Sequence, residues 1–228
     1  MAQEPFAKRH RGETSDQSSN LDDVHVPEEK HEYTRTLTGV ELHDKEMLEV
    51  VCTSKPDKAD EMIGRLKMMS LGLYPRFIGV DVKFTRRDEP PQMAIVLQLC
   101  MEELCLVYHI ATATKWPKHL KNFLKEHKLH TFCNWIVPDS GRKEYDSLAD
   151  VVAGVIHPFY KAMKKKIDKE KDHKLWGISP LPDYLIGYAN TDAYATYKSW
   201  KIIDNTTTSA EISKEQEEDL YYHYHYAG

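Results

Sequence analysis

Residues 77–110 read FIGVDVKFTRRDEPPQMAIVLQLCMEELCLVYHI, three apolar runs divided by two polar breaks. Phe77–Phe84, Met93–Cys100 and Leu106–Ile110 have the length and composition of strands. The breaks, one ending in Pro90-Pro91 and the other at Met101–Leu104, are short, so an antiparallel meander is expected. Asp81 and Lys83 stand two residues apart in the first strand and therefore share one of its faces. A charge inside a core strand is costly unless something compensates it. This pair is the first functional candidate.

Working outward, Glu46–Thr53 reads as an edge-type strand. Ser54 or Asp57 could cap a helix after it, with Ala59, Met62, Ile63 and Leu66 at helical spacing. Past the meander, Pro117 opens a helix with Leu120, Phe123 and Leu124 on one face. A short apolar piece, Thr131–Val137, leads to a Pro-Asp-Ser-Gly turn. A second amphipathic helix then carries Leu148, Ala149, Val152, Val155 and Ile156, and a last helix runs from about Pro182 to Ile203. This gives one α/β domain over residues 46–203. A polar tail, residues 1–32, is expected to be disordered, and a second polar tail covers residues 204–228. In that second tail His223 and His225 alternate with Tyr, too few ligands for a metal site.

The net charge of −5 rules out a global basic field that would attract nucleic acid or acidic lipid. Any such contact has to come from a local patch. The candidate is the lysine run around Lys164, Lys165 and Lys166, although its interleaved acids make a solvated surface the default. Cys52, Cys100, Cys105 and Cys133 show no CxxC spacing, and Cys100 and Cys105 read as buried thiols. Gln98 reads as a satisfied polar core residue, and Trp116, Trp135, Trp176 and Trp200 read as core or hinge residues. No apolar run is long enough to cross a bilayer, and the opening residues lack the apolar core of a signal peptide. The expectation is an intracellular protein of nucleus or cytoplasm with no membrane partner.

IGVDVKFT, followed by AIVLQLC and CLVYHI, resembles the first motif region of the DEDD 3′-5′ exonucleases. Tyr188-Ala-Asn-Thr-Asp192-Ala-Tyr resembles the last motif of the Tyr-containing (DEDDy) subclass. The nearest likeness is to the Werner-type exonuclease domain of plants, over about Met47 to Ile203. The resemblance implies an RNase H-like mixed sheet that begins with the three-stranded meander and has helices on both faces. It also implies phosphodiester hydrolysis at DNA or RNA 3′ ends, with four carboxylates holding two Mg²⁺ or Mn²⁺ ions. Carried over by motif, Asp81, Tyr188 and Asp192 are the catalytic candidates, and Asp81 and Asp192 the metal ligands.

Two motif positions depart from the pattern. Lys83 stands where the family has a glutamate, and an ammonium has only donors, so it cannot ligate a metal while charged. The middle motif is missing: Asp139 lies too close to Leu148 to leave room for a helix and a strand, and reads as a turn residue. In the plant relatives a segment like NWIVPDSGRKEYDSLADV follows the middle motif, so the fold is expected to be truncated in the middle. The reading is a DEDDy exonuclease-like, nucleic-acid-binding protein with an impaired or inactive centre. Lys83 would substitute for the metals by neutralising Asp81, with Asp192 as its further partner. Two alternatives stand beside it. One is an active metal-dependent exonuclease with a rearranged site, and the other a non-catalytic module that binds intact relatives.

Overall fold

The computed structural model describes residues 31–42, 47–73, 76–85, 91–126, 131–133, 148–161 and 173–226. Asp139, Trp135 and Lys164–Lys166 lie outside these residues. The strands are β1 (Thr34–Glu41), β2 (Met47–Thr53), β3 (Phe77–Phe84), β4 (Ala94–Met101), β5 (Leu104–His109) and β6 (Thr131–Cys133). The helices are α1 (Pro56–Met69), α2 (Leu120–Lys125), α3 (Leu148–Val155) and α4 (Asp183–Tyr226). The six strands form one sheet in the order β1-β2-β5-β4-β3-β6. β3, β4 and β5 are the antiparallel meander, while β6 runs parallel to β3 and β2 parallel to β5. This is the mixed sheet with a three-stranded meander that the RNase H-like reading expects, although β1 and β2 precede the meander instead of the sheet beginning with it. Its parallel edge, β6, is only 3 residues long.

Helices cover both faces. α4 packs on β3, β4 and β5, and α3 packs on α4. α1 packs on β2, β4 and β5 from the other side, where Arg65 reaches Glu49. The residues that α1 buries are Pro56, Ala59, Met62, Ile63 and Leu66, the expected apolar stripe. No helix among the described residues is long and apolar enough to cross a membrane.

Several expectations need correction. β2 is not an edge strand, because β1 pairs antiparallel to its outer side over Thr34–Glu41. The cap of α1 is Lys55 with no side-chain hydrogen bond, and Pro56, with its fixed φ, opens the helix instead of a Ser54 or Asp57 cap. Leu124 is exposed, so α2 holds the sheet through Leu120 and Phe123. Cys100 and Cys105 are not free thiols. They face each other across β4 and β5 and are joined as a disulfide, whereas Cys52 and Cys133 are free and buried.

Gln98 is buried, but neither amide atom has a hydrogen-bond partner among the described residues. Its register neighbours on that face are Asp81, whose carboxylate is engaged elsewhere, and Val107, which has nothing to offer. Trp116 is 62 % exposed, and Trp200 also reaches solvent, whereas Trp176 is buried. Finally, α4 continues through residues 205–226, where a polar tail was expected. No Gly or Pro interrupts Tyr188–Tyr226, and the hydroxyls of Thr206, Thr207 and Ser209 bond back to carbonyls one turn earlier. Polarity alone therefore does not end the helix.

At the end of β5 one buried histidine ties three segments together. His109 Nε2 lies 2.9 Å from the carbonyl of Trp176, which can only accept, so Nε2 carries the proton. Nδ1 then accepts from the Tyr33 hydroxyl at 2.8 Å, with the Thr112 hydroxyl at 3.1 Å. The Tyr33 oxygen in turn accepts the Leu181 N–H at 3.1 Å, at the entry to α4. Burial pushes the imidazole down to about 4, against a smaller upward pull from the Trp176 carbonyl.

The folded pKa lies below the unfolded value of about 6.5, so the unfolded chain binds the extra proton between the two. His109 thus contributes stability that is present above about pH 6.5 and is lost as pH falls towards 4, on the order of 3 kcal/mol in all. The melting temperature is expected to fall over this window, and His109→Gln to fall less steeply. Parallel Tm–pH curves for the two proteins would exclude the histidine as the cause.

Candidate active site

The site forms where α4 crosses β3, and one glycine permits the crossing. A Cβ built on Gly79 would stand 2.1 Å from the Ala193 carbonyl oxygen and 2.8 Å from the Tyr197 Cβ. Any side chain there would push the helix off the sheet. The approach carries the Tyr188–Asp192 stretch of α4 over the face of β3 that also bears Asp81 and Lys83. Tyr188 and Asp192, four residues apart, lie on one side of the helix.

Three sequence candidates meet there through the residue that departs from the motif. Lys83 Nζ stands 2.5 Å from Asp81 Oδ2 and 2.7 Å from Asp192 Oδ2. The group is largely enclosed: the side chains of Lys83, Asp81 and Asp192 are 19 %, 25 % and 8 % exposed. The ammonium also lies 5.0 Å from the Tyr188 ring centre and 5.9 Å from that of Trp176, within cation–π range. The two rings are themselves 6.4 Å apart.

Burial alone would drive Lys83 towards its neutral form, but Asp192 and Asp81 together outweigh it and hold the pKa above that of a free lysine. Lys83 is therefore a fixed cation. Burial, and then the Asp192 charge, push the Tyr188 phenol up to about 12, so it is protonated at neutral pH.

The donor set does not fit the metal pair that the motif implies. One oxygen of each carboxylate, Oδ2 of Asp81 and of Asp192, is bonded to Lys83 Nζ, and a metal between the two would have to displace a cation fixed to the chain. Among the described residues no three His, Cys, Asp or Glu side chains stand close enough to hold a metal ion. Asp81 and Asp192 with one ammonium sum to −1, a balance far from that of two dications. The site can neutralise buried carboxylates, but among its described groups none can polarise a phosphodiester as a Lewis acid would.

Sequence reasoning missed Gly79, whose signal would have been a small residue on the site-bearing face of β3. It also missed His109, which fixes the backbone of Trp176 and so the ring above Lys83. The lysine candidates 164–166 lie outside the described residues.

Removing the cation leaves two enclosed carboxylates facing each other. Lys83→Ala, melted in the presence of a chelator, is expected to lose about 3 kcal/mol, or roughly 6–12 °C in Tm. Lys83→Met, which retains the apolar stem, should share most of the loss. Neutralising both partners as Asp81→Asn/Lys83→Met/Asp192→Asn should recover it. A Tm unmoved by Lys83→Met would show that the ammonium does not hold the site together.

Neither protein-family models nor curated proteins match the sequence. Among solved structures, the chain is similar to the Nibbler EXO domain of Aedes aegypti, at TM-score 0.45 and 13% identity over 77% of this chain and 94% of that one. It is also similar to the catalytic core of RRP6 from Trypanosoma brucei, at TM-score 0.47 and 12% identity. That match covers 74% of this chain and 51% of the other, so the chain spans about half of that neighbour's length.

Proposed function

We propose that this chain is a non-catalytic DEDDy-type 3′-5′ exonuclease-like protein, an RNase H-like domain whose metal centre has been replaced by a lysine. The observation that carries the reading is Lys83 Nζ lying between Asp81 and Asp192, where the motif pattern would place divalent cations. An ammonium supplies one charge instead of four and has no free coordination position for water or phosphate. Tyr188, protonated near neutral pH, is not available as a base to take a proton from water. The ligands of this reading are DNA or RNA strands, bound without hydrolysis; Mg²⁺ and Mn²⁺ have no part in it.

The convergence of Asp81, Asp192 and Tyr188 favours one second reading, a metal-dependent exonuclease in which Lys83 swings aside when substrate and metal bind. A degradation assay separates the two. The full chain is incubated with 5′-labelled single-stranded DNA and RNA, and with 3′-recessed duplexes, in Mg²⁺ or in Mn²⁺. No shortening above the no-protein control is expected. Lys83→Glu alone should remain inactive, because it restores one carboxylate and leaves the middle one missing. Metal-dependent shortening that disappears in Asp192→Ala would sink the proposal and establish the second reading.

A further inference from the structure

Residues 113–125, ATKWPKHLKNFLK, hold four lysines and a histidine and no acid, in a chain of net charge −5. They form the turn leading into α2 and the helix itself. Leu120 and Phe123 point into the core, which turns Lys121 and Lys125 to the opposite side of α2, while Lys118 stands in the turn just before the helix. Lys115, Trp116 and these three lysines are all exposed. Trp116, at 62 % exposure, is far more open than an indole held by packing would be.

The backbone that presents this ring is pinned on both sides. The Asp60 carboxylate accepts the N–H groups of Lys118 and His119, each at 2.9 Å. The Tyr108 hydroxyl donates to the Lys115 carbonyl at 2.8 Å. The neighbouring acids are engaged: Asp60 in those bonds, Glu126 with Lys67 at 2.6 Å, and Glu32 with the Thr114 hydroxyl. Lys115, Lys118 and Lys121 have no ion-pair partner among the described residues.

We propose that this surface binds single-stranded nucleic acid, with Lys115, Lys118 and Lys121 meeting phosphates and Trp116 stacking on a base. Lysines alone would suit any polyanion. An open indole on a fixed backbone among them adds a π-face that every nucleobase can use and an acidic peptide cannot. Ordering entropy is low, because the backbone hydrogen bonds already hold the turn. α2 rests on α1, across the sheet from α4, so the surface is separate from the Lys83 site. Binding here needs no metal and stands whether or not the Lys83 site hydrolyses anything.

The test uses the full chain with fluorescein-labelled dT and U oligonucleotides of about 20 nucleotides, with a chelator present so that no hydrolysis can intervene. Anisotropy titrations from 20 to 200 mM salt are expected to give a log K against log salt slope of about −2, from three phosphates at about 0.7 each. Lys115→Ala/Lys118→Ala/Lys121→Ala should flatten that slope towards zero. Trp116→Ala should weaken binding about tenfold and abolish the quenching of tryptophan fluorescence. All four positions are exposed, and thermal melts check that the variants fold. No binding at 20 mM salt, or binding unchanged in both variants, overturns the proposal. Competition by poly-glutamate as effective as that by oligonucleotide overturns the choice of nucleic acid.

Discussion

The contact on which this site depends is a helix lying directly on a glycine. Gly79 lets the Ala193 carbonyl and Tyr197 come to β3 at a distance no side chain would tolerate. The same approach brings an aspartate on the helix over an aspartate on the strand, two residues along from the glycine. Two carboxylates enclosed side by side repel each other and are poorly solvated, so the packing that builds the sheet also creates an electrostatic need. A cation has to stand between them. In this chain that cation is Lys83, rooted in the same strand as one of the carboxylates and reaching the other across the helix–sheet interface.

A covalently attached cation differs from a bound one in ways that decide chemistry. It cannot be exchanged, it offers donors and no open coordination position, and it carries a single charge. The faces of Tyr188 and Trp176 hold it further, since an aromatic quadrupole favours a nearby ammonium. The net charge of Asp81, Asp192 and Lys83 is −1, which repels a phosphate instead of gathering it. A strand of nucleic acid would find little electrostatic reason to enter here. The acid-free lysine turn before α2 offers the opposite field on the other side of the sheet, with an aromatic face beside it.

What the sequence made legible follows from what each signal encodes. The meander could be read because its strands are apolar runs broken by prolines and a tight turn, and α1 because Ala59, Met62, Ile63 and Leu66 keep one period. Asp81, Lys83, Tyr188 and Asp192 stood out because motif spacing is a local property. β1 escaped because TRTLTGVE is mostly polar: it pairs through its backbone with β2, and such pairing leaves no apolar period behind. The length of α4 escaped for a related reason, since composition suggested a tail while the absence of Gly and Pro allowed a helix. Trp116 was misjudged because an indole in a sequence carries no sign of which way the chain will turn it. The disulfide depended on register, which places Cys100 opposite Cys105 only once the hairpin geometry is set.

Long-range polar bonds are the least legible of all, and here they join the fold to the site. Tyr33, ahead of the first strand, bonds to His109 at the end of the fifth; His109 bonds to the backbone of Trp176; and the Trp176 ring lies over the Lys83 ammonium. Each link has one workable polarity. A carbonyl must accept, so His109 must donate from Nε2 and receive at Nδ1, and the Tyr33 hydroxyl must donate to it. A histidine kept neutral by burial donates to the Trp176 carbonyl and accepts at Nδ1, whereas a protonated one would oblige the hydroxyls at Nδ1 to turn round and accept. The roof above Lys83 therefore rests on a histidine that burial keeps neutral, and beneath it lies a cation that two carboxylates keep charged.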